Sequence, residues 1–206
     1  MATIKIEGDI TAKTLSDFRR QLDAAKGEDL TIELDSRGGA FGAALHIHAA
    51  LTEWPARTTA LVHHAGSAAT VIMLGCNEVV MASPQSEVYI HMPTAQAIRD
   101  VSLDVADLKG AARHLEASAA LIAAIYAQKT GYRPSWWLNR MAKGTTYKGK
   151  NPFSDRVKGD AAIPSNGLEQ VIRTTIREGV GAWASQRRPR SPQPSWCRQV
   201  GIPFQW

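Results

Sequence analysis

Apolar and polar residues alternate in Ile4-Lys-Ile-Glu, which predicts a strand over residues 4–8. The spacing then lengthens. Leu15, Phe18 and Leu22 fall on one face of a helix predicted over 11–26. Leu30-Thr-Ile-Glu-Leu34 alternates again and predicts a second strand, which runs into the Gly38-Gly39 turn. Helical spacing returns through Phe41, Leu45, His48 and Leu51, so 40–54 reads as a helix that stops before Pro55. A strand over 58–62 and a helix over 67–74 follow. Short strands are predicted over 78–82 and 87–90, either side of a Ser83-Pro84 turn. Residues 103–129 read as one long Ala-rich helix closed by Thr130-Gly131. Strands that alternate with helices predict an α/β domain with mainly parallel pairing.

Past Gly131 the pattern weakens. Residues 135–142 and 167–183 read as helices, and 144–165 as a polar loop. The domain is taken as 1–184. Residues 185–206, rich in Arg, Pro, Ser and Trp, read as a tail without a core of its own. The net charge of +5 owes much to Arg187, Arg188, Arg190 and Arg198, in a segment with no acid after Glu178. Such a tail is more often solvated than a binding surface, so nucleic acid is not an expected partner. No apolar run reaches membrane-spanning length, and the first residues lack the layout of a secretory signal. Cys76 and Cys197 are far apart and predict no disulfide, which points to a reducing compartment.

The candidate chemistry lies in three short stretches. Ser67 stands between an apolar run and a helix start, where the helix dipole favours developing negative charge. Ala68 N–H would point the same way. On local sequence alone a helix-capping serine is the commoner explanation. Gly38 and Gly39 allow backbone N–H groups to approach a ligand closely, or simply make a turn. His91 ends a strand before Met92-Pro93, which gives an imidazole a rigid mount. The pairs His46/His48 and His63/His64 lack metal-ligand spacing, so no metal site is expected, and adjacent His63 and His64 should point to opposite sides of their strand. Trp136-Trp137 reads as packing.

In order, Ile4-Lys-Ile-Glu-Gly-Asp-Ile10, Asp35-Ser-Arg-Gly-Gly39, Ala65-Gly-Ser-Ala-Ala69, Glu78-Val-Val-Met-Ala82 and Tyr89-Ile-His-Met-Pro93 resemble the Clp protease proteolytic subunit family. The likeness covers about residues 4–131 and leans toward the prophage and phage branch that includes head-maturation proteases. It implies a crotonase-like spiral α/β fold, with residues 103–129 as the long handle helix. It also implies a serine endopeptidase of peptides or proteins, ring-shaped homo-oligomers and a cytoplasmic setting. No cofactor is implied. Ser67 matches the nucleophile, His91 the general base, Gly39 and Ala68 the oxyanion donors, and Gly38 the turn that presents them. The apolar residues of 103–129, among them Leu108, Leu115, Leu121, Ile122 and Ile125, are too many for one domain face and predict self-association.

Four features depart from the family. Arg37 replaces a proline, and the segment after His91 lacks glycines. The chain begins at the first strand, which argues against dependence on a Clp-type ATPase. A phage capsid or scaffold protein is a candidate partner instead. Finally, the triad acid of the family falls on Gly144, and no carboxylate lies between Gly131 and Asp155. Asp155 is the fallback acid. Loss of the acid can cost about 10⁴ in turnover, so weak or absent peptidase activity is expected. The alternative that Gly144 favours is a catalytically silent ring-forming or assembly protein. An acyl-CoA enzyme of the crotonase fold is a third reading, which the Ser67 and His91 stretches oppose.

Overall fold

The computed structural model describes residues 1–94 and 104–154. Three successive strand–helix units build its N-terminal half: β1 (Ala2–Ile10) and α1 (Ala12–Ala24), β2 (Leu30–Gly39) and α2 (Phe41–Thr52), then β3 (Thr58–Gly66) and α3 (Ala68–Gly75). β4 (Glu78–Met81) and β5 (Glu87–Ile90) follow. Strands run in the order β1-β2-β3-β5-β6, and β4 also pairs with β3. β3 therefore forks: Thr59–Val62 bonds β4, and His64–Gly66 bonds β5. All pairings are parallel except the last, between β5 and β6 (Thr145–Lys148).

The alternation read from the sequence divides the sheet into two faces. Ile4, Ile6, Leu30, Ile32, Leu34, Ala60, Val62, Val88 and Ile90 are buried on one face. Helices α1, α2 and α3 pack on that side. The other face carries charge, with Lys5 paired to Glu33 at 2.7 Å and Lys148 to Glu87 at 2.8 Å. Here the expectation for His63 and His64 needs correcting. A bulge lets Leu34 pair with Val62 and Asp35 with His64, so His63 is the extra residue. Both imidazoles then reach acids of the charged face, Glu33 at 3.6 Å and Glu87 at 3.9 Å.

The long helix α4 (Val105–Thr130) starts at an Asp104/Asp107 capping box and ends at Gly131, whose φ of 80° suits a left-handed cap. Its two halves differ. Leu121, Ile122 and Ile125 are buried in this chain's own core, so the apolar excess expected to drive self-association is smaller than the sequence implied. The first half projects, leaving Val105 67% and Leu108 55% exposed. α5 (Pro134–Lys143) packs on the second half of α4. Trp137 is fully buried there and donates its indole N–H to Thr130 Oγ1 at 3.1 Å. Trp136 stacks on Tyr132 and under the Arg140 guanidinium. Both tryptophans thus serve packing.

The loop expected over 144–165 is in part a strand. Thr145 and Tyr147 are a β-branched and an aromatic residue at alternate positions, and they pair with Ile90 and Val88 of β5. That pairing is what makes β6, and no local pattern announces it. The helix expected over 167–183, the boundary at 184, the tail 185–206, Cys197 and Asp155 lie outside the described residues.

Candidate active site

Ser67 joins β3 to α3 with φ 51° and ψ −122°, a backbone conformation that residues other than glycine rarely adopt. Such a residue costs on the order of 1–3 kcal/mol and persists only where its surroundings hold it. Here they do. Ser67 N–H donates to Tyr89 O at 2.8 Å, which ties the turn to β5. The N–H and Oγ1 of Thr70 both donate to Ser67 O, at 3.0 and 2.6 Å. Thr70 Oγ1 lies 2.5 Å from Tyr126 Oη. Its single proton is committed to Ser67 O, so Tyr126 is the donor of that second bond. Burial pushes the Tyr126 phenol above its ordinary range and keeps it protonated for that purpose. Ser67 makes no side-chain cap bond to α3. The capping explanation therefore fails, and the hydroxyl is left at the surface of a sharp strand-to-helix turn.

The end of β2 lies against this turn at backbone distance. A Cβ added to Gly38, whose φ is +109°, would stand 2.7 Å from both Gly66 O and Ser67 Cβ. Only glycine fits. Gly38 N–H donates to Ser36 Oγ at 3.1 Å, and Ser36 Oγ donates to Gly8 O at 2.5 Å. The Gly38 amide is thus occupied, and Gly39 and Ala68 border the open space beside Ser67. Ala68 is the first residue of α3, where amides have no acceptor within the helix.

His91 follows β5 and faces the same space. Its position is fixed by the next residue, since Met92 N–H donates to Met141 O of α5 at 3.1 Å. The Tyr89 ring stacks on the His91 ring, with centroids 5.1 Å apart and planes at 20°. The β5–β6 ladder ends at Ile90 and Thr145, so His91 and Gly144 are the residues just beyond its end. Among the described residues, no hydrogen bond or ion pair reaches the His91 ring or Ser67 Oγ. Asp155 lies outside them.

Ser67, Ala68, Gly38, Gly39 and His91 line one cleft of about 730 Å³, walled by Phe41 and by Leu115 and Ile122 of α4. The other sequence candidates stand apart from it. His48 is buried with its Nδ1 2.8 Å from Val71 O, and burial holds its imidazole below the ordinary range. Burial pushes the Cys76 thiol up to about 12, which makes it inert at neutral pH.

Sequence reading did not single out Ser36, Thr70, Tyr126 or Tyr89. Ser36 was findable: it extends the Leu30, Ile32, Leu34 alternation onto the core face, where a hydroxyl needs partners. The Thr70–Tyr126 bond joins residues 56 apart and leaves no local signal.

A family model described as Clp protease matches residues 1–149. The chain belongs to the Clp protease family. The match runs through Ser67, His91 and Gly144 and past the end of the resemblance noted from motifs alone. A mostly parallel sheet flanked by helices is the α/β, crotonase-like architecture of that family. Clp proteases form oligomeric rings and act on proteins. No curated protein matches the chain. No helix among the described residues is long and apolar enough to cross a membrane.

Proposed function

We propose that this Clp family member is a serine endopeptidase in which Ser67 is the nucleophile and His91 the general base. The strained Ser67 turn carries the reading. Its backbone is held in a costly conformation by Thr70, Tyr126 and Tyr89, while its hydroxyl is left without a structural task. In the reaction, His91 takes the Ser67 proton as Oγ attacks a peptide carbonyl carbon. The oxyanion sits toward Ala68 and Gly39 N–H. His91 then gives the proton to the leaving amine, and water hydrolyses the acyl-enzyme by the same route. No cofactor enters.

The substrate is an unstructured peptide or protein segment, and the motif likeness to head-maturation enzymes makes a phage capsid or scaffold protein the partner to try. The compartment is the cytoplasm, in keeping with a free, buried Cys76. Exposed Val105 and Leu108 on the projecting half of α4 are the contact offered to other copies in a ring.

Gly144 favours a second reading, a ring former without turnover, because the residue on which the family likeness puts the acid, just past the β6 end of the ladder, has no side chain. Diisopropyl fluorophosphate separates the two by intact mass. The peptidase reading expects one adduct, lost in Ser67→Ala while the fold survives. A folded, assembled wild type that takes up no adduct would support the silent ring former.

A further inference from the structure

A general base needs something to fix its ring plane and to favour the imidazolium formed when it takes a proton. Among the described residues the ring of His91 has one neighbour suited to this, Tyr89, two positions back on the same side of the strand. The two rings are near parallel at stacking distance. Tyr89 also covers the bare glycine. A Cβ built on Gly144 would meet Tyr89 Oη at 3.1 Å and ring carbons Cε2 and Cζ at 3.8 Å. The outer half of the tyrosine ring therefore fills the start of the space that a side chain at 144 would use.

We propose that Tyr89 is a positioning residue for His91, holding the imidazole by stacking in the place that Gly144 leaves without a side chain. This rests on His91 being the base. The tyrosine does two things. Its ring blocks rotation of the imidazole toward that side. Its π-face also attracts the imidazolium, more weakly than a carboxylate would. Both belong to the ring, so the hydroxyl is dispensable and phenylalanine should serve.

Two readouts on the full chain test this. The first is the rate of Ser67 modification by diisopropyl fluorophosphate in wild type, Tyr89→Phe, Tyr89→Ala and His91→Ala. Tyr89→Phe should match wild type and Tyr89→Ala should be about 10-fold slower. The second is NMR of imidazole-labelled histidine, with the His91 signal assigned from His91→Ala. Wild type and Tyr89→Phe should show a ring-current shift and one side-chain conformer, and Tyr89→Ala should lose both. A single His91 conformer retained in Tyr89→Ala overturns the proposal whether or not the chain is catalytically active. So does a wild-type modification rate in Tyr89→Ala where His91→Ala is dead. Modification of His91→Ala at the wild-type rate would instead remove His91 as base, a separate failure.

Discussion

Ser67 is held by hydrogen bonds on both its N–H and its carbonyl, by a buried Thr70–Tyr126 relay, and by a Gly38 backbone that admits no Cβ. His91 has a stacked tyrosine and an anchored neighbour at Met92, and that tyrosine borders the bare Gly144. The two sides of the cleft differ in how many independent contacts fix one atom. Strain at a backbone is kept only by such redundancy, so the Ser67 side of the cleft is the more tightly held and the His91 side the looser. Asymmetry of this kind predicts that changes near Ser67 are costly to fold and reactivity alike. Changes near His91 should alter reactivity and leave the fold nearly intact.

The largest effect is expected at Gly38. Gly38→Ala forces a Cβ into Gly66 O and Ser67 Cβ at a positive φ. It should cost about 3 kcal/mol in a urea titration and abolish Ser67 modification. A stable, reactive variant would mean the turn is softer than its contacts imply. Next is the relay. Thr70→Val leaves the buried Tyr126 hydroxyl without an acceptor and removes a donor to Ser67 O, for about 2 kcal/mol. Tyr126→Phe should cost less, because Thr70 keeps Ser67 O. The double variant should cost clearly less than the sum of the two, since both singles break one shared bond.

His48 provides the smallest effect and an internal contrast to His91. It is a buried histidine with its ring bond made, and burial lowers its affinity for a proton below the ordinary value. The unfolded chain then binds the proton more readily, so stability conferred by neutral His48 is full above about pH 6.5 and is lost as pH falls below it. Half-buried His46, lowered by burial and by Arg19, acts in the same direction. Urea midpoints from pH 8 to pH 5 should fall in wild type and fall less in His48→Gln. Parallel slopes for the two would show that His48 is not the sensor.

The architecture was largely legible because most elements advertise their period. The Leu30, Ile32, Leu34 alternation and the Phe41, Leu45, His48 spacing depend on neighbours in sequence, and each became the element predicted. What escaped depends on neighbours in space. β6 exists because β5 offers an edge, and the bulge that turns His63 and His64 to one face is a mismatch between two strands. The same division holds at the site. Ser67 and His91 stood out in their motifs, and both line the one cleft; Gly144 stood out only as the glycine on which the family likeness put an acid. Whether Ser67 capped a helix was not, because a cap and a strained turn share the same strand–serine–helix sequence. Only φ and the missing cap bond separate them.

If Ser67 is primed and His91 lacks only an acid, a carboxylate introduced at position 144 should restore reactivity. Asp tolerates the positive φ of Gly144, but its Cβ would meet the Tyr89 hydroxyl. The comparison is therefore best made in the Tyr89→Phe background, with Gly144→Asp and Gly144→Asn added in turn. The rate of Ser67 phosphorylation by diisopropyl fluorophosphate is the readout. Addition of Asp should raise it, by about 100-fold if the carboxylate engages His91, and addition of Asn should not. Equal rates for Gly, Asp and Asn at 144, with a wild type that is already fast, would contradict the account and show that His91 has its partner elsewhere.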